Sequence, residues 1–289
     1  MAAPIVKVVS SEADVSNELC NLVISNANAA IKERGIFTLG VSGGSAAKFL
    51  CNGLPQASTD WSKWRVFFCD ERLVPFADPE CTYTYYKTNL ISKVPVLEEH
   101  FFALNPALSV DEAAVDYEKK VRKIFPDGIP RFDVLSLGMG PDGHTCSLFP
   151  GHQLLKETER ICAPISDSPK PPPQRVTLTF PVINNAACCV FASCGAGKAD
   201  IVQETERICA PISDSPKPPP QRVTLTFPVI NNAACCVFAS CGAGKADIVQ
   251  KVLEDKSDEP LPAARVRPSN GEVVWILDKP AAGKLQSSL

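Results

Sequence analysis

At 289 residues the chain can form one large α/β domain or two ordinary ones; 45% hydrophobic and 21% charged residues suffice for a buried core and exclude wholesale disorder. A net charge of −3, without any stripe of Lys and Arg, argues against nucleic acid or anionic membrane as a partner. The 13 cysteines are scattered and lack C-x-x-C spacing, so they offer zinc no ligand set and read as reduced core thiols of a cytoplasmic protein.

The opening MAAPIVK has no basic start leading into an apolar run, so no signal peptide is expected. No stretch of about 18 apolar residues is present to span a bilayer. Residues 11–34 predict a helix, with Val15, Leu19, Leu22, Val23, Ala27 and Ala30 at 3–4 spacing and Ser11 as its cap. The apolar run 36–41 predicts a strand. It ends in Ser42-Gly43-Gly44-Ser45 before a helix over 46–54. Glycines let a backbone approach an anion closely, and a following helix supplies free N–H groups and a favourable dipole. A four-residue loop of this kind also serves as an ordinary turn, so its position carries the reading.

A second strand over 64–69 ends at Asp70-Glu71-Arg72, where the guanidinium suits an oxyanion and a surface ion pair is the plainer alternative. Helices are predicted over 82–93 and 111–124. A third strand over 132–137 runs into Gly138-Met-Gly140-Pro-Asp142-Gly143-His144. The three glycines match the dinucleotide fingerprint in form only: the match lies mid-chain, Pro141 stiffens the turn, and a Pro-rich stretch follows instead of a strand ending in an acid. The better use is acid–base chemistry. His144 is suited to proton transfer near neutral pH, and Asp142 can fix its tautomer. A helix is predicted to begin at Thr145. His100 and His152 lack comparable surroundings.

Residues 157–203 and 204–250 are identical, residue for residue, with nothing between them. Solenoid repeats diverge and usually number three or more, so these copies mark one segment present twice, by recent duplication or gene-model error. Taking one 47-residue copy from 289 leaves 242 residues, a comfortable single domain, and nine cysteines. The fold can draw its native segment from copy one, copy two or a hybrid of the two, and the surplus is expected to be displaced from it. Each copy offers strands over 175–179 and 188–192 in first-copy numbering, with Arg175 and Lys198 (second-copy Arg222 and Lys245) as candidate anion ligands. A last strand is predicted over 273–277. Strands alternating with helices imply a mostly parallel sheet with helices on both faces, whose ligands bind beyond the carboxyl ends of the strands.

Taken together, SGGS at 42–45, CDERLVPF at 69–76, GMGPDGHTCSLFP at 138–150 and PISDSPKPPPQRVTLTFPVIN at 164–184, in this order, resemble the 6-phosphogluconolactonase family. The likeness spans nearly the whole chain once one copy is discounted. It implies a single Rossmann-like α/β domain related to glucosamine-6-phosphate deaminase. The implied reaction is hydrolysis of 6-phospho-D-glucono-1,5-lactone to 6-phosphogluconate in the oxidative pentose phosphate pathway, by a monomer with no metal or other cofactor. The resemblance makes His144 the general base, Asp142 its orienting acid and Arg72 an oxyanion stabiliser. It assigns the phosphate to Ser42, Gly43, Gly44, Ser45, Arg175 and Lys198 (or Arg222 and Lys245), with Asp70, Gly140 and Gly143 near the substrate. Two alternatives remain: a deaminase-like isomerase, whose family follows the Gly-His turn with an Asn-Glu-Pro acid absent from Leu148-Phe149-Pro150 here, and a non-catalytic sugar-phosphate sensor.

Overall fold

The computed structural model describes residues 4–138, 140, 144–192, 209–212, 222–225, 235–254, 262–266, 268 and 271–286. The first half runs β1 (Ile5–Val9), α1 (Glu12–Arg34), β2 (Phe37–Val41), α2 (Gly44–Gly53), β3 (Trp64–Phe68), β4 (Asp70–Arg72) and α3 (Thr82–Asn89). Then come β5 (Phe101–Phe102), α4 (Val110–Arg122), β6 (Val134–Leu137), β7 (Cys162–Ile165), β8 (Arg175–Leu178), α5 (Phe180–Asn185) and β9 (Cys188–Ala192). The second copy and C-terminal part contribute β10 (Cys209–Ile212), β11 (Arg222–Leu225), β12 (Cys235–Ser240), α6 (Ala246–Glu254), β13 (Glu272–Asp278) and α7 (Lys279–Ala282).

Eight strands form one sheet in the order β1-β13-β12-β9-β6-β2-β3-β5, and every neighbouring pair is parallel. The expected α/β architecture is therefore present. All five residues of β2 are buried, as a strand covered on both faces requires. Gly40 in its centre lets the strands pack closely: a Cβ there would come within 2.4 Å of Leu135 Cδ2 of β6, so that side chain would have to shift. α1 buries Val15, Leu19, Val23, Ala27 and Ala30, the predicted stripe, and the Ser11 side chain accepts from the Asp14 N–H as its cap. β1 carries no predicted strand; it forms by pairing Ile5 through Val9 with Val274 through Asp278 of β13.

The two copies divide between separate surroundings. First-copy β7 and β8 join β4 in a three-stranded antiparallel sheet, whereas second-copy β10 and β11 pair with each other in a two-stranded sheet. The second-copy strand β12 instead enters the main sheet beside its own twin. Cys235 lies opposite Cys188, and the register continues to Ala239 opposite Ala192. On its other side β12 sets Cys235 opposite Glu272 of β13. Because β9 and β12 have one sequence, β12 presents to β13 the same edge that β9 would present. The expected displacement of a surplus copy thus meets a mixed arrangement, a separate hairpin and an added central strand.

This equivalence generates a prediction. Without residues 204–250, β9 can pair directly with β13, so the 242-residue chain is expected to melt at or above the temperature of the 289-residue chain and to be more soluble. Calorimetry of both checks this; a lower Tm for the shorter chain would mean that β12 makes contacts β9 cannot replace.

Candidate active site

The strand order reverses between β2 and β6, since the chain builds toward β3 and β5 on one side and toward β9 on the other. Such a switch point opens a crevice at the strands' carboxyl ends. On one wall, β2 gives way to Ser42 and Gly43, and Gly44 opens α2 with φ of +65°, a left-handed backbone that favours glycine. Gly43 makes no side-chain capping bond, and the first turn of α2 contains no acid. The exposed N–H groups and positive dipole end there favour an anion. Ser42 is only 3% exposed, and its Oγ has no hydrogen-bond partner among the described residues. A buried hydroxyl of this kind calls for a ligand atom.

The opposite wall is the loop leaving β6. The Gly140 N–H donates to the His144 carbonyl at 2.8 Å, and the Thr145 hydroxyl donates to the Gly138 carbonyl at 2.9 Å. The helix predicted from Thr145 is absent. Thr145 instead bridges Leu148, and Cys146 between them takes φ of 51°. Side-chain bonds account for the difference: the Ser147 N–H donates to Thr177 Oγ1 at 3.3 Å, and the Ser147 hydroxyl donates to Asp70 Oδ2 at 2.8 Å. These tie the segment into a turn against β4 and β8. The His144 ring lies 4.6 Å from the Phe149 ring, and its Nδ1 is 3.2 Å from Lys170 Nζ. With the ammonium as donor, Nδ1 is the acceptor, and the neutral ring then carries its proton on Nε2.

The third wall comes from the small sheet, where Arg72 of β4 lies opposite Arg175 of β8. Two like charges in register are tolerated because they are neutralised differently. Arg72 donates through Nη1 to the Glu80 carboxylate at 2.6 Å and to the Glu80 carbonyl at 3.1 Å. Arg175 is buried, at 3% exposure. Its Nε donates to the Pro172 carbonyl at 3.0 Å, and Nη2 donates to the carbonyls of Lys170 at 3.0 Å and Pro171 at 3.1 Å. Nη1 reaches Ser147 Oγ at 3.5 Å and stands 3.9 Å from Asp70 Oδ2, and the guanidinium lies 5.6 Å from the Phe149 ring centre.

These walls enclose a cavity of about 240 Å³, lined among the described residues by Ser42, Gly43, Gly44, Ser45, Asp70, Arg72, Gly138, Gly140, His144, Cys146, Arg175 and Ala192. A volume just under the 300–1,000 Å³ typical of drug-sized ligands suits one phosphorylated sugar and not a dinucleotide. Nine of the residues singled out in the sequence therefore meet in one place. Asp142, Gly143 and Lys198 lie outside the described residues. Of the second-copy candidates, Arg222 begins β11 in the two-stranded sheet, and Lys245 is buried just before α6, beyond β12, and does not line the cavity. Sequence reading missed Cys146, Ala192 and Lys170, and it named Glu71 without its burial. For Lys170 the signal was its place in the proline run just before Arg175.

The family model described as glucosamine-6-phosphate isomerases/6-phosphogluconolactonase matches residues 10–207 and, again, 201–275. The chain belongs to this family. A 6-phosphogluconolactonase of Bos taurus is 44% identical over 292 residues, covering 98% of this chain and 95% of its own length, and that of Homo sapiens is 42% identical with the same coverage. Among solved structures, the 6-phosphogluconolactonase of Trypanosoma brucei superposes with a TM-score of 0.61 at 21% identity, covering 99% of this chain and all of its own. The Thermotoga maritima enzyme gives 0.61 at 19% identity, with 96% and 100% covered. These two share the fold. Among the described residues, no helix is long and apolar enough to cross a membrane.

Two predictions follow from the polar framework. Arg175→Lys keeps the charge but cannot satisfy three carbonyls in a fixed fork, so a loss of about 1–3 kcal/mol is expected in urea unfolding; an unchanged midpoint would remove Arg175 from its structural role. Glu71 is buried beside Arg72 and accepts from the N–H groups of Arg72, Thr82 and Tyr83 at 2.8, 3.0 and 2.7 Å. Burial outweighs these donors and pushes its carboxyl from 4.5 to about 7. A folded pKa above the unfolded one gives stability that is present below pH 4.5 and lost as pH rises through about 7. Relative to Glu71→Gln, the unsubstituted chain should lose stability across that window in pH-dependent denaturation; a flat difference would contradict the shift.

Proposed function

We propose that this chain is a 6-phosphogluconolactonase, hydrolysing 6-phospho-D-glucono-1,5-lactone to 6-phosphogluconate in the oxidative pentose phosphate pathway. The observation that carries this reading is the convergence, at the switch-point cavity, of a histidine with an anion cradle whose buried Ser42 hydroxyl has no partner among the described residues. The start of α2 and Ser42 would hold the phosphate, which would fix the lactone ring against the His144 loop. His144 would take a proton from the attacking water at Nδ1. That is the nitrogen Lys170 occupies here, and an anionic substrate would give the ammonium a stronger partner.

As water adds to the carbonyl carbon, negative charge develops on the carbonyl oxygen. Arg72 is 26% exposed on its side chain and tied on one side to Glu80, so it retains N–H groups with which to meet that charge. The imidazolium would then return its proton to the ring oxygen as the carbon–oxygen bond opens, and the balance is lactone plus water to acid. Arg175 supports this arrangement chiefly from behind, by holding the 170–172 backbone, and Asp142 would orient the base. Copy one would supply the site, since β9 borders the cavity through Ala192 and is the strand from which Lys198 follows.

The deaminase-like alternative is disfavoured by the segment after His144, where Leu148 and Phe149 are buried apolar residues and no acid takes part. Two assays separate the readings. His144→Ala should lower the rate of 6-phosphogluconate formation by about 10²–10⁴-fold with an unchanged circular dichroism spectrum; a normal rate would sink its role. Glucosamine 6-phosphate should release no ammonia, and robust release would overturn the lactonase reading.

A further inference from the structure

The duplication sets each cysteine of a pair opposite its own copy. β9 and β12 are parallel and in register, with Cys188 opposite Cys235 and Cys189 opposite Cys236. Neighbouring strands lie about 4.8 Å apart, and residues in register on parallel strands point to the same face. A disulfide needs Cα atoms roughly 4.4–6.8 Å apart with side chains on one side, and residues in register on neighbouring strands meet both conditions. The first pair reaches solvent through Cys235, whereas Cys189 and Cys236 are both buried. The Cys188 thiol is hydrogen-bonded to Cys235, Cys188 is buried, and Cys235 is half-buried beside Glu272, its sulfur 4.0 Å from Oε1.

The chemistry within the pair is unequal. The hydrogen bond from Cys188 holds the Cys235 thiol below its ordinary range, whereas that bond and burial push Cys188 well above it. In the second pair burial pushes both thiols up, Cys236 to about 12 and Cys189 further still. The more exposed sulfur is thus also the one favoured as thiolate, the form that reacts with oxidants.

We propose that Cys188 and Cys235 form a peroxide-sensitive covalent link between the two copies. The Cys235 thiolate attacks a hydroperoxide, the O–O bond breaks with release of water or alcohol, and a sulfenic acid results. The Cys188 sulfur then attacks that sulfur, expels hydroxide that leaves as water with the thiol's proton, and closes the S–S bond. Two thiols are oxidised and one hydroperoxide is reduced. Both residues stand at the first positions of their strands, the edge opposite the cavity, so the link staples β12 into the sheet without entering the site. It would also close a long loop and raise the melting temperature of the oxidised chain.

The test uses the full-length reduced protein treated with hydrogen peroxide. The expected product is a monomer on non-reducing gels, two hydrogens lighter by intact mass, with a raised Tm that dithiothreitol reverses. Trypsin would release residues 176–198 joined to the identical peptide 223–245, so substitutions must name the sulfurs. Cys235→Ala, at the half-buried position, and Cys188→Ser should each abolish the link, whereas Cys189→Ser and Cys236→Ser should leave it. No mass change in the unsubstituted chain, or a link that survives in Cys235→Ala, overturns the proposal.

Discussion

A buried guanidinium must have its donors met inside the protein, because an unpaired charge removed from water costs several kcal/mol. Arg175 meets this requirement by drawing the candidate-site region around itself. Its donors fasten the carbonyls of residues 170, 171 and 172, while Asp70 and Ser147 supply the acidic side of the same network. The guanidinium packs on Phe149, which packs on His144, and the fastened backbone carries Lys170 to the His144 ring. The positions of His144, Lys170 and the 145–148 turn therefore depend on one buried cation.

The parallel sheet provides the second constraint. Its order reverses between β2 and β6, so the two glycine-bearing strand ends diverge and leave room between them. Gly40, hard against Leu135, keeps these strands adjacent. Second-copy β12 enters farther along, between β9 and β13, where it repeats an edge already present. This explains why a chain 47 residues longer than one domain needs can retain its cavity: the insertion occurs one strand away from Ala192.

Much of this was legible in the sequence. The periodicity of α1, the apolar runs of β2, β3 and β6, and the polar motifs at strand ends are local signals, and a parallel sheet brings strand ends together. The turn at residues 145–148 was not legible, because its cause lies in Asp70 and Thr177, distant in the chain. β1 was missed for a similar reason, its five residues becoming a strand only against β13. Arg175 was read as a phosphate ligand from resemblance, whereas its fixed donors face backbone carbonyls that no residue pattern marks. The same holds for Glu71, whose burial arises from the packing of α3 over β4.

The central claim is that the 289-residue chain builds one active site and draws it from the first copy. The most direct measurement compares lactonase turnover of Arg175→Ala and Arg222→Ala, each made in the full-length chain. The account predicts that Arg175→Ala loses most activity and that Arg222→Ala retains it, because Arg175 lies against Asp70, Ser147 and the cavity, whereas Arg222 begins a strand of the two-stranded sheet. Equal activity in the two single variants, with loss only in the double variant, would contradict it by showing that either copy can complete the site.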